Sequence, residues 1–143
     1  GRVVYITSIE PSKNRPEFAD MNNKYWKLPR NWQQLKEAVT WAAGGELSLE
    51  IKAPTYVVGE ILEQKELDEL IIHLVNFNVV NEPEVKNVQV DLNIPQGKCI
   101  TQVSMLTAKD SGTQTKSLKF KMEKNRLHLT VPKLNAYAML LIE

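Results

Sequence analysis

The chain has 143 residues, which is the size of one domain or of one domain with a piece of another. Hydrophobic residues make up 43% and charged residues 24%, a balance that argues against intrinsic disorder. The formal net charge is only +1, so we expect no dedicated nucleic-acid surface, and no apolar run approaches the roughly 20 residues that a membrane span needs. The single cysteine, Cys99, leaves the cellular compartment open, the exported or periplasmic alternative included.

The first 45 residues differ from the rest of the chain. An apolar, β-branched run begins almost at the first residue and predicts a short strand over residues 2–9. Residues 10–30 are polar and contain three prolines, which indicates a long irregular loop. Intact domains usually begin with frayed polar residues, so we expect a piece cut from a longer chain, the alternative being a processed mature protein.

Residues 31–43 form the one predicted helix. Asn31 is the expected N-cap, and Gln34 lies where it would complete a capping box. Gly44 and Gly45 are expected to end the helix, because glycine adopts the left-handed C-terminal conformation without strain. A short helix is marginal in water, so its apolar stripe must pack on another part of the protein, with Trp32 in the core and Trp41 on the sheet. The stripe consists of Trp32, Leu35, Ala38, Val39, Trp41 and Ala42.

After Gly45 the hydrophobic period changes from 3.6 to 2 residues, which predicts strands. The run at 70–77 is densely apolar and is expected to be buried on both faces. Pro132 is expected to end its strand, and 108–116 is expected to be a polar loop. We therefore predict a mainly β protein, an antiparallel β-sandwich of immunoglobulin-like or Greek-key type over residues 46–143, with one N-terminal α-helix. The candidate strands are residues 47–52, 56–62, 70–77, 88–94, 100–106, 118–122, 127–131 and 137–142.

Motifs for phosphate, metal and nucleophilic chemistry are absent or weak. Gly44 and Gly45 follow a helix instead of preceding one, so they do not form a phosphate loop. The histidines, His73 and His128, lie inside predicted strands and the cysteine is solitary, so we predict no metal site and no cofactor. A triad assembled in space stays open, but no serine lies on a nucleophile-elbow pattern and no carboxylate pair stands out, so no catalytic residue is predicted.

Three aromatic residues lie close together in or beside the long loop. Sugars stack on exposed rings, so Tyr25, Trp26 and Trp32 are the candidate carbohydrate-binding residues. The same residues equally fit a hydrophobic plug that joins the loop to the helix or to a missing domain. A carbohydrate-binding module is therefore an alternative function.

Three motifs in the N-terminal part carry a family resemblance, and their order matters more than any one of them: residues 1–6 (GRVVYI), 28–32 (LPRNW) and 42–45 (AAGG). Together they are similar to the last strand and helix of the amidotransferase-like α/β domain in β-galactosidase-type glycoside hydrolases. The resemblance implies that residues 1–45 are a remnant of an upstream α/β domain, whose strand and helix must find a new partner.

A second series of motifs resembles the C-terminal β-sandwich that follows this domain in such enzymes: residues 72–78 (IHLVNFN), 90–95 (VDLNIP), 129–132 (LTVP) and Tyr137. The resemblance implies a parent enzyme that hydrolyses glycosidic bonds with carboxylates on an upstream barrel, and none of those positions lies in this chain. It also implies that Asn76 and Asn78 satisfy backbone groups at a strand end or turn.

The function implied is that of a non-catalytic C-terminal accessory domain, which supports the packing or assembly of a bacterial glycoside hydrolase in carbohydrate metabolism. Its expected partners are the upstream domains of the parent chain, a second copy of the chain, and carbohydrate. A self-contained enzyme with an unrecognised site and an adhesion sandwich unrelated to sugars are the remaining alternatives.

Overall fold

The computed structural model describes residues 1–12, 28–109 and 112–143. The chain divides into two compact units, Gly1–Leu47 and Ser48–Glu143, close to the point at which the hydrophobic period changes. Of the helices in the described ranges, none has the length and apolar character needed to cross a membrane. The origin of the first unit as a remnant of an α/β domain stays a prediction.

The first unit contains one helix among its described residues, α1, Trp32–Ala42. The predicted capping box is wrong, because the Asn31 side chain makes no capping bond to the helix. Its Oδ1 instead accepts a hydrogen bond from the N–H of Glu10 (3.0 Å), and its Nδ2 donates to the carbonyl of Ser8 (3.0 Å). Asn31 therefore ties the N-terminal segment to the start of the helix.

The predicted glycine end of the helix is confirmed. Gly44 and Gly45 have φ angles of 85° and 96°, and their N–H groups donate to the carbonyls of Trp41 (3.0 Å) and Thr40 (2.8 Å). This pair of bonds is the Schellman arrangement, which satisfies carbonyls that the last helical turn leaves free.

The predicted strand over residues 2–9 is wrong. Residues 1–12 form no regular structure, and Val3 and Tyr5 are each 87% exposed. A strand needs a neighbouring strand to pair its backbone groups, and no strand of the described residues pairs with this segment. The β-branched composition by itself is therefore not enough.

The second unit contains two antiparallel sheets, which confirms the predicted mainly β fold. The four-stranded sheet has the order β1-β4-β8-β7 and the five-stranded sheet has the order β2-β3-β9-β5-β6. The strands are β1 Leu49–Lys52, β2 Val57–Gln64, β3 Glu69–Asn76, β4 Val85–Asn93, β5 Val103–Lys109, β6 Gly112–Ser117, β7 Phe120–Glu123, β8 Arg126–Leu134 and β9 Tyr137–Ile142.

One cluster of buried, mostly aliphatic side chains is shared by the two sheets. Ile72 and Leu140 in the five-stranded sheet, like Leu92 and Leu127 in the four-stranded sheet, are 0% exposed. Alternate residues of a strand point to opposite faces, so the period of two in the sequence specifies this core directly. In β3, however, the outward residues are only half-buried, so the predicted burial on both faces is correct for the inner face alone.

Two sequence predictions about the strands are wrong. The segment predicted as a polar loop contains β6, whose residues are all exposed and which pairs with β5 at the edge of its sheet. Pro132 does not end its strand, because β8 continues to Leu134 in an unchanged register. Asn87, at φ 55°, lies opposite Pro132. This pair alone is missing from the paired residues of β4 and β8, as expected because proline has no N–H to donate.

Candidate functional site

The aromatic residues proposed to bind carbohydrate are only partly described. Tyr25 and Trp26 lie outside the described residues. Trp32 begins α1 and is 39% exposed, and α1 has no buried residue, so the expected core position of Trp32 is wrong. Of the three candidate carbohydrate-binding residues, Trp32 is therefore the one that lies in the described part of the chain.

Trp32 lines a groove of about 570 Å³ along α1, together with Trp41 and Arg2 and the polar side chains of Gln33 and Glu37. We call it the α1 groove. Trp41, expected to pack on the sheet, is instead 52% exposed. The Arg2 guanidinium lies over its ring, 5.3 Å from the centroid, and Arg2 Nη1 donates to the Trp41 carbonyl at 3.1 Å. Aromatic rings beside amide and carboxylate groups are suited to stacking and hydrogen bonding with a sugar.

A second groove, of about 840 Å³, is lined by residues of β1, β4 and β8 and by residues 116–121, which include the end of β6, the connection that follows it and the start of β7. We call it the charged groove. Four cross-strand neighbours, Glu50, Asp91, His128 and Lys121, form a row across the four-stranded sheet. The charged and polar residues that line the groove are Glu50, Lys52, Gln89, Asp91, Lys116, Ser117, Lys119, Lys121, His128 and Thr130.

Both carboxylates of the charged groove are held by Arg126. Its Nε donates to Asp91 Oδ1, and its Nη2 lies 3.3 Å from Glu50 Oε1. The other oxygen of Asp91, Oδ2, lies 3.0 Å from His128 Nδ1. The sequence analysis did not single out Arg126. It precedes His128 by two residues, so a period of two places both on one face, and this is the signal that could have found it.

Ion pairs also shift the pKa of the side chains that form them. Lys121 Nζ lies 2.5 Å from Glu123 Oε1. This hydrogen bond raises the pKa of Lys121 and lowers the pKa of Glu123, because it favours the charged form of both. Hydrogen bonds from Lys133 and Lys86 likewise lower the pKa of Glu84.

The sequence left open a triad assembled in space, and Ser117 lines the charged groove with the Asp91–His128 pair. Ser117, however, lies in the five-stranded sheet, where its cross-strand neighbour is Ser104. Asp91 is already shared between His128 and Arg126. Asp91, Arg126 and Glu50 form an ion-pair network on the outer face of the four-stranded sheet, with His128 beside Asp91.

The two histidines lie in different sheets. His73 lies in β3, with its Nδ1 2.6 Å from the hydroxyl of Tyr137 and its ring stacked on that residue. His128 lies in β8, and Cys99 is exposed. Within the ranges that the structure describes, no group of three His, Cys, Asp or Glu residues could hold a metal ion.

The outer face of the five-stranded sheet is mostly apolar, with Glu60 and His73 lying between its apolar residues. We call it the apolar face, and its residues are brought together by the cross-strand registers of β2, β3, β9 and β5. Leu62 is 46% exposed, Tyr137 40% and Val58 39%. The outer face of the five-stranded sheet is therefore more apolar than that of the four-stranded sheet. The apolar face consists of Val58, Leu62, Ile71, Val75, Leu106, Tyr137, Met139 and Leu141.

Comparison with known proteins identifies similar structures but no family. No protein-family model matches the chain, and no curated protein matches it. Among solved structures, the chain is similar to alpha-L-fucosidase isoenzyme 2 from Paenibacillus thiaminolyticus, with a TM-score of 0.62 and 19% identity over 78% of this chain. A cycloisomaltooligosaccharide glucanotransferase from Paenibacillus sp. also matches, with a TM-score of 0.47 and 14% identity over 64% of this chain.

The chain spans only 17% of the fucosidase and 16% of the glucanotransferase. At these identities the likeness to the fucosidase concerns the fold. Both matched chains are named as enzymes that act on carbohydrates, and neither is named as a β-galactosidase. The expected likeness to the β-galactosidase type therefore stays a prediction.

Proposed function

We propose that this chain is a non-catalytic accessory domain of a bacterial glycoside hydrolase, the C-terminal β-sandwich that the β-galactosidase resemblance implies. It packs through the apolar face against an upstream domain of the parent enzyme and so supports the shape of that enzyme. The observation that carries the proposal is the contrast between the two outer faces of the sandwich.

A fold comparison supports the setting. The similarity to the fucosidase includes 78% of this chain but only 17% of that enzyme. A domain-sized region within a much larger enzyme is what an accessory domain looks like. The sequence motifs point independently to the same enzyme class.

Surface chemistry supports the mechanical role. Leu62 and Val58, in the edge strand β2, continue the apolar face outward from Ile71 and Val75 in β3. Removing apolar surface from water is worth about 25 cal/mol per Å², so a sheet face of this kind stabilises a domain contact when it is covered. On the opposite face, Glu50 and Asp91 are paired with Arg126.

Leu62→Glu is the variant that tests this docking role. In the longer chain encoded by the same gene, we expect it to weaken the domain contact by about 1–3 kcal/mol, because a carboxylate would lose its hydration there. The sandwich would then unfold at a lower temperature and become more accessible to protease. In the 143-residue chain alone the cost is expected to stay near 0.5 kcal/mol, since Leu62 is exposed.

Thr130→Glu is the matched control, because it places the same charge on the outer face of the four-stranded sheet, where Thr130 is exposed. We expect it to leave the unfolding temperature and the protease accessibility of the longer chain unchanged. Equal unfolding temperatures of the Leu62→Glu and Thr130→Glu variants in the longer chain would contradict the proposal. A gene that encodes no catalytic domain before residue 1 would also contradict it.

A carbohydrate-binding module is the second candidate, and the α1 groove favours it. Trp32→Ala is expected to weaken the binding of a neutral oligosaccharide about tenfold, because it removes a stacking ring. Tyr5→Ala is the control, since Tyr5 is an exposed ring that does not line this groove. Calorimetry that detects no heat with a broad panel of neutral glycans would exclude this function.

A further inference from the structure

We infer that the charged groove is a binding site for an acidic oligosaccharide, a sugar chain that carries carboxylate or sulfate groups. The choice of a sugar rests on the proposed function, whereas the choice of an anion rests on the groove itself. The groove lies in the second unit and shares no residue with the α1 groove.

The charge balance of the groove is positive. Glu50 and Asp91 are held by Arg126, and Lys121 is held by Glu123. The remaining lysines of the groove, Lys52, Lys116 and Lys119, form no ion pair with any carboxylate of the described residues. One arginine balances only one of the two carboxylates, so these groups together carry an excess of two positive charges, which an anionic ligand would balance.

Neutral hydrogen-bonding groups lie between these charges. Gln89 and Thr130 are cross-strand neighbours in the centre of the four-stranded sheet, and Lys52 lies opposite Gln89 on the other side. Amide and hydroxyl groups can bind sugar hydroxyls, while lysines bind a carboxylate or sulfate as point charges. The groove volume, about 840 Å³, lies within the roughly 300–1,000 Å³ typical of small-ligand sites.

General attraction to anions does not explain this arrangement. The whole chain has a formal net charge of only +1. The positive potential is therefore local, and it depends on bringing β1 together with the connection from β6 to β7. Binding to it should weaken as salt screens the lysines.

Calorimetry on the 143-residue chain tests the inference with two pairs of probes of equal length. Sulfated dextran oligosaccharide is compared with unsulfated dextran, and oligogalacturonate is compared with its methyl ester. We expect at least one acidic probe to bind and both neutral probes to fail. A preference for oligogalacturonate assigns the ligand as a carboxylate sugar, and a preference for sulfated dextran assigns a sulfate sugar.

Variants locate the site. Lys52→Gln combined with Lys119→Gln is expected to weaken binding about tenfold or more, because two charge-assisted contacts are lost. Lys65→Gln combined with Lys86→Gln removes the same total charge outside the groove and is expected to change binding less than about twofold.

Three results would overturn the inference: no binding of either acidic probe, equal loss in the two double variants, or equally tight binding of an oligoglutamate peptide. The docking role is unaffected by any of them, because Leu62→Glu acts on the other sheet. Failure of that role in the longer chain would in turn leave the binding data on this groove intact.

Discussion

Replacing Asn76 with leucine is expected to destabilise the sandwich by about 2 kcal/mol and to loosen the turn that follows β3. Asn76 is a buried polar side chain, 2% exposed, at the end of β3. Its Oδ1 accepts from the N–H of Asn78 (2.9 Å), and its Nδ2 donates to the carbonyl of Glu82 (2.8 Å). Leucine has a similar size but can pair neither backbone group.

Urea unfolding measures this cost, and hydrogen exchange over residues 77–84 locates it. Asn81→Leu is the matched control, because Asn81 is exposed and its side chain donates from Nδ2 to the side-chain oxygen of Asn78 (3.0 Å), with no buried backbone group to satisfy. It is expected to change stability by less than about 0.5 kcal/mol. Equal stability of the Asn76→Leu and Asn81→Leu variants would contradict the proposed role of the buried amide.

The Leu140→Ala substitution is expected to lower the free energy of unfolding by about 2–5 kcal/mol. The Leu141→Ala substitution is expected to lower it by about 1 kcal/mol or less in the 143-residue chain. Leu140 is 0% exposed and lies opposite Ile72 on the inner face. Leu141 lies opposite Ile71 on the apolar face and is only half-buried. The two variants carry the same chemical change at neighbouring positions, on opposite faces of β9.

Denaturant unfolding of both variants tests the assignment of faces. A shift of the register by one residue would exchange the two leucines, so a larger cost at Leu141 would show that the wrong face is inside. The same pair also tests the docking role. If the apolar face is covered in the longer chain, as we propose, the cost of Leu141→Ala should rise there, while the cost of Leu140→Ala should not change.

Part of the functional surface could be predicted from sequence and part could not. The role implied for Asn76 as a partner of backbone groups is confirmed, because it depends on residues only a few positions apart. The Asn78 side chain accepts from the side chain of Asn81, so its implied role stays a prediction. The Arg126 network and the charged groove needed the register between strands distant in sequence. Nothing local in the chain says which of several possible strands lies beside β4.

The apolar face shows the same division. The sequence analysis recognised that residues 70–77 are apolar on both faces. The sequence does not indicate that β2 and β9 lie on either side of β3, where their outward-facing apolar residues join those of β3 in one surface. The order of strands in the sheet created that surface.

The amino-acid sequence by itself determined the local features of this protein. Alternation of apolar and polar residues specified most strands and the inner core, and Gly44 and Gly45 ended the helix, because each depends on dihedral preferences and spacing within a few residues. Tertiary structure decided what depends on a partner. An apolar run at residues 2–9 without a neighbouring strand stayed irregular, the fully polar β6 became a strand because β5 pairs its backbone, and β8 passed through Pro132 because a ladder tolerates one missing donor.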